Sequence, residues 1–250
     1  MLLLQHKTIL ITGASSGIGK ATAVLFSQLD ANVIVTARNE ETLSETFKEL
    51  KSSDKHQKII ADLTNISDIK NLVKALPVAI DGIVHCCGKV LPVPVKFIKQ
   101  SQLDDVFSVN YFSAVNLISE LLSAKKINNN SSIAFISSVS TLHAYFGGAP
   151  YISSKAALEG YAKTLALELA PKKIRVNVLQ PALVRTAIFD STINAAIDAE
   201  KMNELVNSYP LGVGEPIDVA NALAFFMSDV SKWITGSSLK MDGGLTLGFK

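Results

Sequence analysis

The sequence has little of what would tie it to several large classes of protein. Its only cysteines are the neighbours Cys86 and Cys87, so no disulfide clips distant segments together, and a bridge between adjacent residues would be strained. A reducing compartment is the simpler setting. No apolar run approaches the ~18–20 residues that span a bilayer, and the opening Met1-Leu2-Leu3-Leu4 is too short for the apolar region of a signal peptide. The expectation is a cytoplasmic chain with no membrane partner. An excess of charge is lacking too: 24 basic and 22 acidic side chains leave +2. Without a basic stripe to meet a phosphate backbone, nucleic acid is not an expected partner. Linkers rich in Pro, Gly or Ser, internal repeats and long low-complexity tracts are missing as well, so residues 1–250 read as one domain.

What is abundant is apolar material: 48% of residues are hydrophobic against 18% charged, enough for a buried core. Short apolar runs at Thr8–Ile11, Val33–Thr36, Lys58–Ala61, Gly82–His85, Ile133–Ser137 and Ile174–Leu179 alternate with helically spaced stretches. Continuous apolar strands between amphipathic helices are what a parallel sheet covered on both faces requires. The fold class is therefore α/β. The polar stretch Asn128–Ser132 and the Lys-rich stretch Lys48–Lys58 read as solvated loops and helix ends.

Between the first strand and the first helix lies Thr12-Gly13-Ala14-Ser15-Ser16-Gly17-Ile18-Gly19. Backbone N–H groups and the helix dipole at such a junction favour a bound phosphate, and glycine keeps a Cβ out of its way. Gly13, Ser15, Ser16, Gly17, Ile18 and Gly19 are the candidates for that role. At the end of the second strand an acidic residue would accept from the ribose 2′-hydroxyl of NAD, but the chain offers Thr36-Ala37-Arg38-Asn39. With three arginines against 21 lysines, Arg38 is not a common filler here. Its guanidinium suits the 2′-phosphate of NADP(H), so NADP(H) is expected in preference to NAD(H).

Tyr151 and Lys155 stand four residues apart in a stretch with helical spacing that ends before Pro171, so they share one helix face. A phenol is a poor acid/base near neutrality, and an adjacent ammonium stabilises the phenolate. The spacing alone is weak evidence, because five tyrosines and 21 lysines make about 0.4 such pairs by chance.

The order of motifs adds to it. From about residue 5 to residue 246 the chain resembles the single-domain branch of the short-chain dehydrogenase/reductase family. The glycine turn is Thr12 to Gly19, the adenine-side segment is Ala61-Asp62-Leu63-Thr64, and the helix asparagine is Asn110 in Ser108-Val109-Asn110. Ser138 stands thirteen residues before Tyr151; Pro181 through Thr186 form the carboxamide segment, and Trp233-Ile234-Thr235-Gly236 with Asp242-Gly243-Gly244 form the C-terminal signature. The resemblance implies a Rossmann-type, doubly wound, seven-stranded parallel sheet with helices on both faces and a last strand near Ser238–Met241. It also implies a substrate lid at about 187–209.

Carried over residue by residue, it implies that Ser138 hydrogen-bonds the substrate oxygen and that Tyr151 transfers the proton. Lys155 also holds the cofactor ribose, and Asn110 positions a water in the proton relay. Asp62, Leu63, Gly88, Pro181, Val184 and Thr186 complete the expected cofactor contacts. The implied reaction interconverts a carbonyl and a secondary alcohol, with 3-oxoacyl thioesters on an acyl carrier protein as one substrate and another small ketone, sugar or secondary metabolite as the alternative. A non-catalytic dinucleotide-binding redox sensor is the reading from another class. A homotetramer is implied through the helices bearing Asn110 and Tyr151.

Two departures stand out. His85-Cys86-Cys87-Gly88 occupies the place of the family's Asn-Asn-Ala-Gly, and only the glycine is kept. Loss of the asparagines puts the local hydrogen-bond scaffold in question. Adjacent cysteines lack common zinc spacing, so no metal is expected. Ala182 follows Pro181 where glycine is usual, and Arg185 beyond it is expected to face solvent in preference to a substrate anion. His143 and Tyr145 either line the pocket mouth or fill a loop.

Overall fold

The structure is a computed structural model that describes residues 4–186 and 204–248. In chain order the elements are β1 Thr8–Thr12, α1 Gly17–Gln28, β2 Asn32–Ala37, α2 Glu40–Lys48, β3 Gln57–Ile60, α3 Ile66–Ala75 and β4 Ile80–His85. They continue with α4 Gln100–Phe107, α5 Ser113–Ser123, β5 Ile127–Ile136, α6 Ala149–Leu169, β6 Arg175–Pro181, α7 Pro216–Met227 and β7 Ser238–Met241. Local chemistry sets the helix ends. The Asn39 side chain accepts from the Thr42 N–H to cap α2, and Asn65 accepts from the Ser67 N–H to cap α3. Proline occupies the first turn of both α6 and α7, where its missing N–H costs nothing.

Every paired strand runs parallel, in the order β3-β2-β1-β4-β5-β6-β7. Because side chains alternate across a strand, Leu10 faces one layer while Ile9 and Ile11 face the other. The Leu10 face collects Ile34, Ile83, Ile133 and Val176 against Leu72, Leu117, Leu158 and Leu165 of α3, α5 and α6. The opposite face packs Val33, Val35, Val84 and Leu179 against Phe26 of α1 and Leu223 and Phe226 of α7. Each such fully buried side chain contributes roughly 1.5–3 kcal/mol of transfer free energy, so both helix layers are held by ordinary apolar burial.

Two local departures from the sequence expectation have physical causes. Asn128–Ser132, expected as a loop, is the first half of β5. It is polar because Asn128, Asn129 and Asn130 are exposed. The Asn128 amide bonds Ala79 O and Asp81 Oδ1, the pairing with β4 shifts register between Ile80 and Gly82, and Asn130 takes a left-handed φ of 63°. The second is a π-bulge at Ser108–Phe112 between α4 and α5, a helical irregularity that neither periodicity nor propensity forecasts.

Candidate active site

From β1 the chain steps outward to β2 and β3, then returns to β4 on the other side of β1. At this switch point the loops leaving the C-terminal ends of β1 and β4 diverge, which opens a crevice. A cleft of about 390 Å³ lies there. Of the residues expected to hold a dinucleotide, Gly13, Ser15, Ser16, Gly17, Ile18, Gly19, Arg38, Asp62, Leu63, Gly88 and Thr186 line it. So do Thr36, Thr64, Cys86, Cys87, Lys89 and Ser113, which sequence reasoning did not single out as lining residues. Their signal was position at a strand's C-terminal end or on the facing helix, not residue type.

The glycines of the turn are used sterically. Gly13 has φ +62°, and a Cβ on it would meet the Cys86 carbonyl carbon and Cys87 nitrogen at 3.1 Å. Ser16 precedes α1 with an extended backbone but makes no side-chain cap, so the first N–H groups of the helix are not satisfied by that hydroxyl. Across the cleft Arg38 is exposed at the end of β2, and Asn39 beside it is occupied in capping α2. Asp62 Oδ1 accepts from the Thr64 N–H at 2.9 Å and the Thr64 hydroxyl at 2.8 Å. Those bonds, the backbone one foremost, together with the Arg38 guanidinium, hold its carboxyl below the usual range against the opposing effect of burial.

Tyr151, Lys155, Pro181 and Val184 do not line the cleft; α6 presents Tyr151 and Lys155 on one face, as the spacing required, with Lys155 next to Gly88 of the cleft wall. Lys155 is 2% exposed, and its ammonium donates to Ile136 O at 2.7 Å while lying 5.8 Å from the centroid of the Tyr151 ring. Burial lowers its pKa to about 8. The Tyr151 phenol is pushed up to about 12, chiefly by burial, with the Ser138 hydroxyl interacting in the lowering direction and Tyr145 in the raising one. This corrects the expectation that the ammonium makes the phenol acidic: here desolvation outweighs any help from Lys155, which bonds a backbone carbonyl. Ser138 itself bonds Ser140 Oγ at 2.9 Å and accepts from the Ser140 N–H. Tyr145 is therefore beside the phenol, while His143 sits in the exposed loop after Ser138.

Asn110 is fully buried in the π-bulge. Its Oδ1 accepts from the Lys89 N–H at 2.7 Å, and its Nδ2 donates to Lys89 O and Ser154 Oγ, each at 2.9 Å. Both amide hydrogens are consumed, so the side chain braces the segment after β4 against α6. Gly88 faces Lys155, whose Nζ would lie 3.5 Å from an added Cβ.

The missing asparagines after β4 are compensated by His85, whose ring nitrogens engage the Thr12 and Ser113 hydroxyls at 3.0 and 3.1 Å. With both nitrogens occupied the imidazole is spent on scaffolding. Burial pushes the Cys86 and Cys87 thiols up. Pro181 closes β6, Ala182 bonds Met241 O with a negative φ that any residue adopts, and Val184 bridges to Gly214. Arg185 pairs with Glu215 at 3.4 Å, with both side chains more than half exposed at 59% and 51%. The proposed lid at 187–209 lies outside the described residues up to 203. Its described end holds Tyr209, whose hydroxyl accepts from the Leu183 N–H. Among the described residues no helix is long and apolar enough to cross a membrane.

Comparison with known proteins agrees with this architecture. A family model described as "Enoyl-(Acyl carrier protein) reductase" matches residues 13–246. The 3-oxoacyl-(acyl-carrier-protein) reductase FabG of Rickettsia felis is 34% identical over 248 residues, covering 99% of this chain and all of the relative. The FabG of Thermotoga maritima is 34% identical over 250 residues, covering 98% and 99%. A solved short-chain type dehydrogenase/reductase from Mycobacterium ulcerans superposes with a TM-score of 0.89 at 26% identity, covering 98% of this chain and 91% of that one. A Rossmann-like sheet wound about a glycine-turn cleft and whole-length likeness to these reductases place the chain in the short-chain dehydrogenase/reductase family, as an oxidoreductase.

Proposed function

We infer that the protein is an NADP(H)-dependent enzyme that reduces a carbonyl to a secondary alcohol, with a 3-oxoacyl thioester as the substrate class. The observation that carries the reading is that Ser138, at the end of β5, meets Tyr151 of α6, one turn from Lys155, whose ammonium lies beside Gly88 in the wall of the cleft. The cleft suits that cofactor. Gly13 lines the cleft in a left-handed conformation packed on the Cys86–Cys87 backbone, Ser16 does not cap α1, and the buried Thr36 hydroxyl lining the cleft has no partner among the described residues. The Gly13–Gly19 turn would hold the pyrophosphate, Arg38 a 2′-phosphate, Asp62 and Leu63 the adenine side, Lys155 the ribose, and Gly88 with Pro181, Val184 and Thr186 the nicotinamide end.

The bound dinucleotide supplies or accepts the hydride. Everything else falls to the protein. Tyr151 is protonated at neutral pH, so it serves reduction as a ready proton donor to the developing alkoxide, and Ser138 fixes the carbonyl oxygen against it with a second hydrogen bond. The buried ammonium of Lys155 provides positive charge behind both. Asn110 keeps Gly88 and Lys89 at the floor of the site. The thioester class is supported by full-length similarity to the two 3-oxoacyl-(acyl-carrier-protein) reductases, whose names bring an acyl carrier protein as the proposed partner; assembly as a homotetramer in the cytoplasm belongs to the same proposal.

The test is direct. Purified protein with NADPH and a short 3-oxoacyl thioester should consume the cofactor, with NADH at least about tenfold less effective. Tyr151→Phe should lower kcat by about 10²–10⁴-fold while still binding NADPH. Activity on simple ketones or sugars without activity on thioesters would replace the substrate class. NADPH binding with no turnover of any carbonyl would favour a sensor.

A further inference from the structure

Three consecutive residues at the end of β5 are each tied to a different side chain of α6. Ile136 O accepts from the Lys155 ammonium at 2.7 Å. The Ser137 hydroxyl donates to Glu159 Oε1 at 2.5 Å. The Ser138 hydroxyl interacts with the Tyr151 phenol. The three α6 residues lie four apart, on successive turns of one face. Two of them belong to the constellation above, whereas Glu159 sits one turn beyond Lys155 and takes no part in the proposed chemistry.

That carboxylate is the most heavily engaged acid near the site. Besides Ser137, its Oε1 accepts from the Thr141 hydroxyl at 2.9 Å and from the Gln180 amide at 2.8 Å. Gln180 also donates to Thr141 Oγ1 at 3.1 Å. Ser137 and Gln180 are 2% and 3% exposed. One oxygen thus gathers a residue before Ser138, a residue of the turn after it, and the residue before Pro181. Thr141 closes the turn a second time, since its N–H bonds Ser138 O. Ser138 lies between two anchors to the helix that carries Tyr151.

The geometry points to Glu159 as a positioning residue: by fastening Ser137, Thr141 and Gln180 to α6, it fixes where the Ser138 hydroxyl stands relative to the Tyr151 phenol. Ser137 and Gln180 donate to one half-buried carboxylate oxygen, the single Thr141 hydroxyl hydrogen is shared between that oxygen and Ser138 O, and such charge-assisted bonds are roughly twice as strong as neutral ones. Removing the acceptor frees the 137–141 turn to relax while the cleft, on the far side of Gly88, keeps its shape. A displacement of about 1 Å at a reacting group costs up to about 100-fold in rate. The assignment rests on the proposed carbonyl chemistry for its consequence, but the placement of Ser138 is measurable without turnover.

Glu159→Ala is expected to lower kcat about 10- to 100-fold with the dissociation constant of NADPH unchanged. Glu159→Gln should recover most of that loss, because its amide oxygen still accepts from Ser137 and Thr141. Carbon-13 labelled tyrosine supplies the second readout: the Tyr151 phenol-carbon resonance, identified by its disappearance in Tyr151→Phe, should move in Glu159→Ala toward its position in Ser138→Ala and return in Glu159→Gln. A folded Glu159→Ala with wild-type kcat and an unmoved resonance overturns the assignment. If Glu159→Ala does not fold, Ser137→Ala combined with Thr141→Val carries the same test. Wild-type protein inert toward every carbonyl would sink the proposed function alone, and the resonance would still decide the role of Glu159.

Discussion

His85 and Thr12 occupy paired positions in β4 and β1, with the imidazole Nδ1 3.0 Å from the threonine hydroxyl. The bond belongs to a chain whose direction is settled by its ends. The Ser113 hydroxyl donates to Val109 O at 2.6 Å, so it accepts from His85 Nε2–H. His85 Nδ1 then accepts from Thr12, whose oxygen is met by the Cys87 thiol at 3.4 Å. Every donor has an acceptor from Cys87 to the π-bulge. A neutral His85, 1% exposed, joins the glycine turn to the helix of Asn110 in the place of the family's asparagine. Its replacement by alanine would leave the buried Thr12 hydroxyl without its acceptor beside a cavity, and a loss of about 2–4 kcal/mol in denaturant unfolding is expected.

The same residue predicts an acid limb in stability. Burial, aided by the Lys155 charge, pulls the His85 pKa from 6.5 down to about 3. Between those values the unfolded chain binds a proton that the folded chain does not, so stability rises with pH across that window and falls as pH drops below about 6.5. Urea midpoints at pH 7 and pH 5 should differ less in His85→Asn than in the wild type. An equal difference would show that other groups carry the acid sensitivity.

Lys155 yields a prediction at the alkaline side. Its folded pKa of about 8 lies below its ordinary 10.5 because the ammonium is desolvated, so the free protein loses this proton as pH rises through about 8. A ligand that accepts a hydrogen bond from the ammonium favours the charged form. NADPH binding should therefore weaken above pH 8 and be accompanied by proton uptake, seen calorimetrically as a binding heat that depends on the buffer's ionisation enthalpy. Lys155→Met should remove the uptake.

How far the sequence carried the reading follows from these residues. Strands built of apolar runs, the glycine turn and the Tyr151–Lys155 spacing depend on near neighbours. The six runs and the shared face of α6 lie within observed elements to within a residue or two, apart from the start of β5, whereas β7 came from the family resemblance. The role of His85 was not legible, because its partners Thr12 and Ser113 lie 73 and 28 residues away, and only the register of β1 with β4 brings them together. Asn110 was found by motif, yet its bonds to Lys89 and Ser154 required the π-bulge to aim it. The first half of β5 was missed because a strand's exposed end carries the polar letters of a loop. The phenol's pKa was misjudged for a related reason: spacing tells which charge is near, whereas burial is a property of the whole fold.

Arg38 tests the cofactor preference. It is exposed at the rim of the cleft and close enough to Asp62 to add to the lowering that the Thr64 bonds chiefly produce. A cation there favours a 2′-phosphate, and an acid would favour a free 2′-hydroxyl. Arg38→Asp should weaken NADPH about 10- to 100-fold, the worth of one to two charge-assisted bonds, and leave NADH equal or tighter in fluorescence titrations. Equal loss for both would mean that Arg38 braces the Asp62 segment and does not read the ribose.

Two glycines in the opposite helix layers, Gly19 of α1 and Gly160 of α6, should respond to alanine with opposite signs. A Cβ on Gly19 would sit 2.2 Å from Gly13 O and 2.8 Å from the Gly13 carbonyl carbon. Neither is the free end of a side chain, so α1 would have to lift from the turn it packs against, and Gly19→Ala should lose both several degrees of melting temperature and NADPH binding. Gly160 is exposed in the interior of α6, with nothing within 4 Å of its hypothetical Cβ. There alanine removes only the backbone freedom that glycine gives the unfolded chain, a gain of about 0.5–1 kcal/mol. Urea unfolding with an unchanged m-value measures both effects. A Gly160→Ala protein less stable than the wild type would mean that this face of α6 is covered in solution, and that is how assembly through the Tyr151 helix would first show itself.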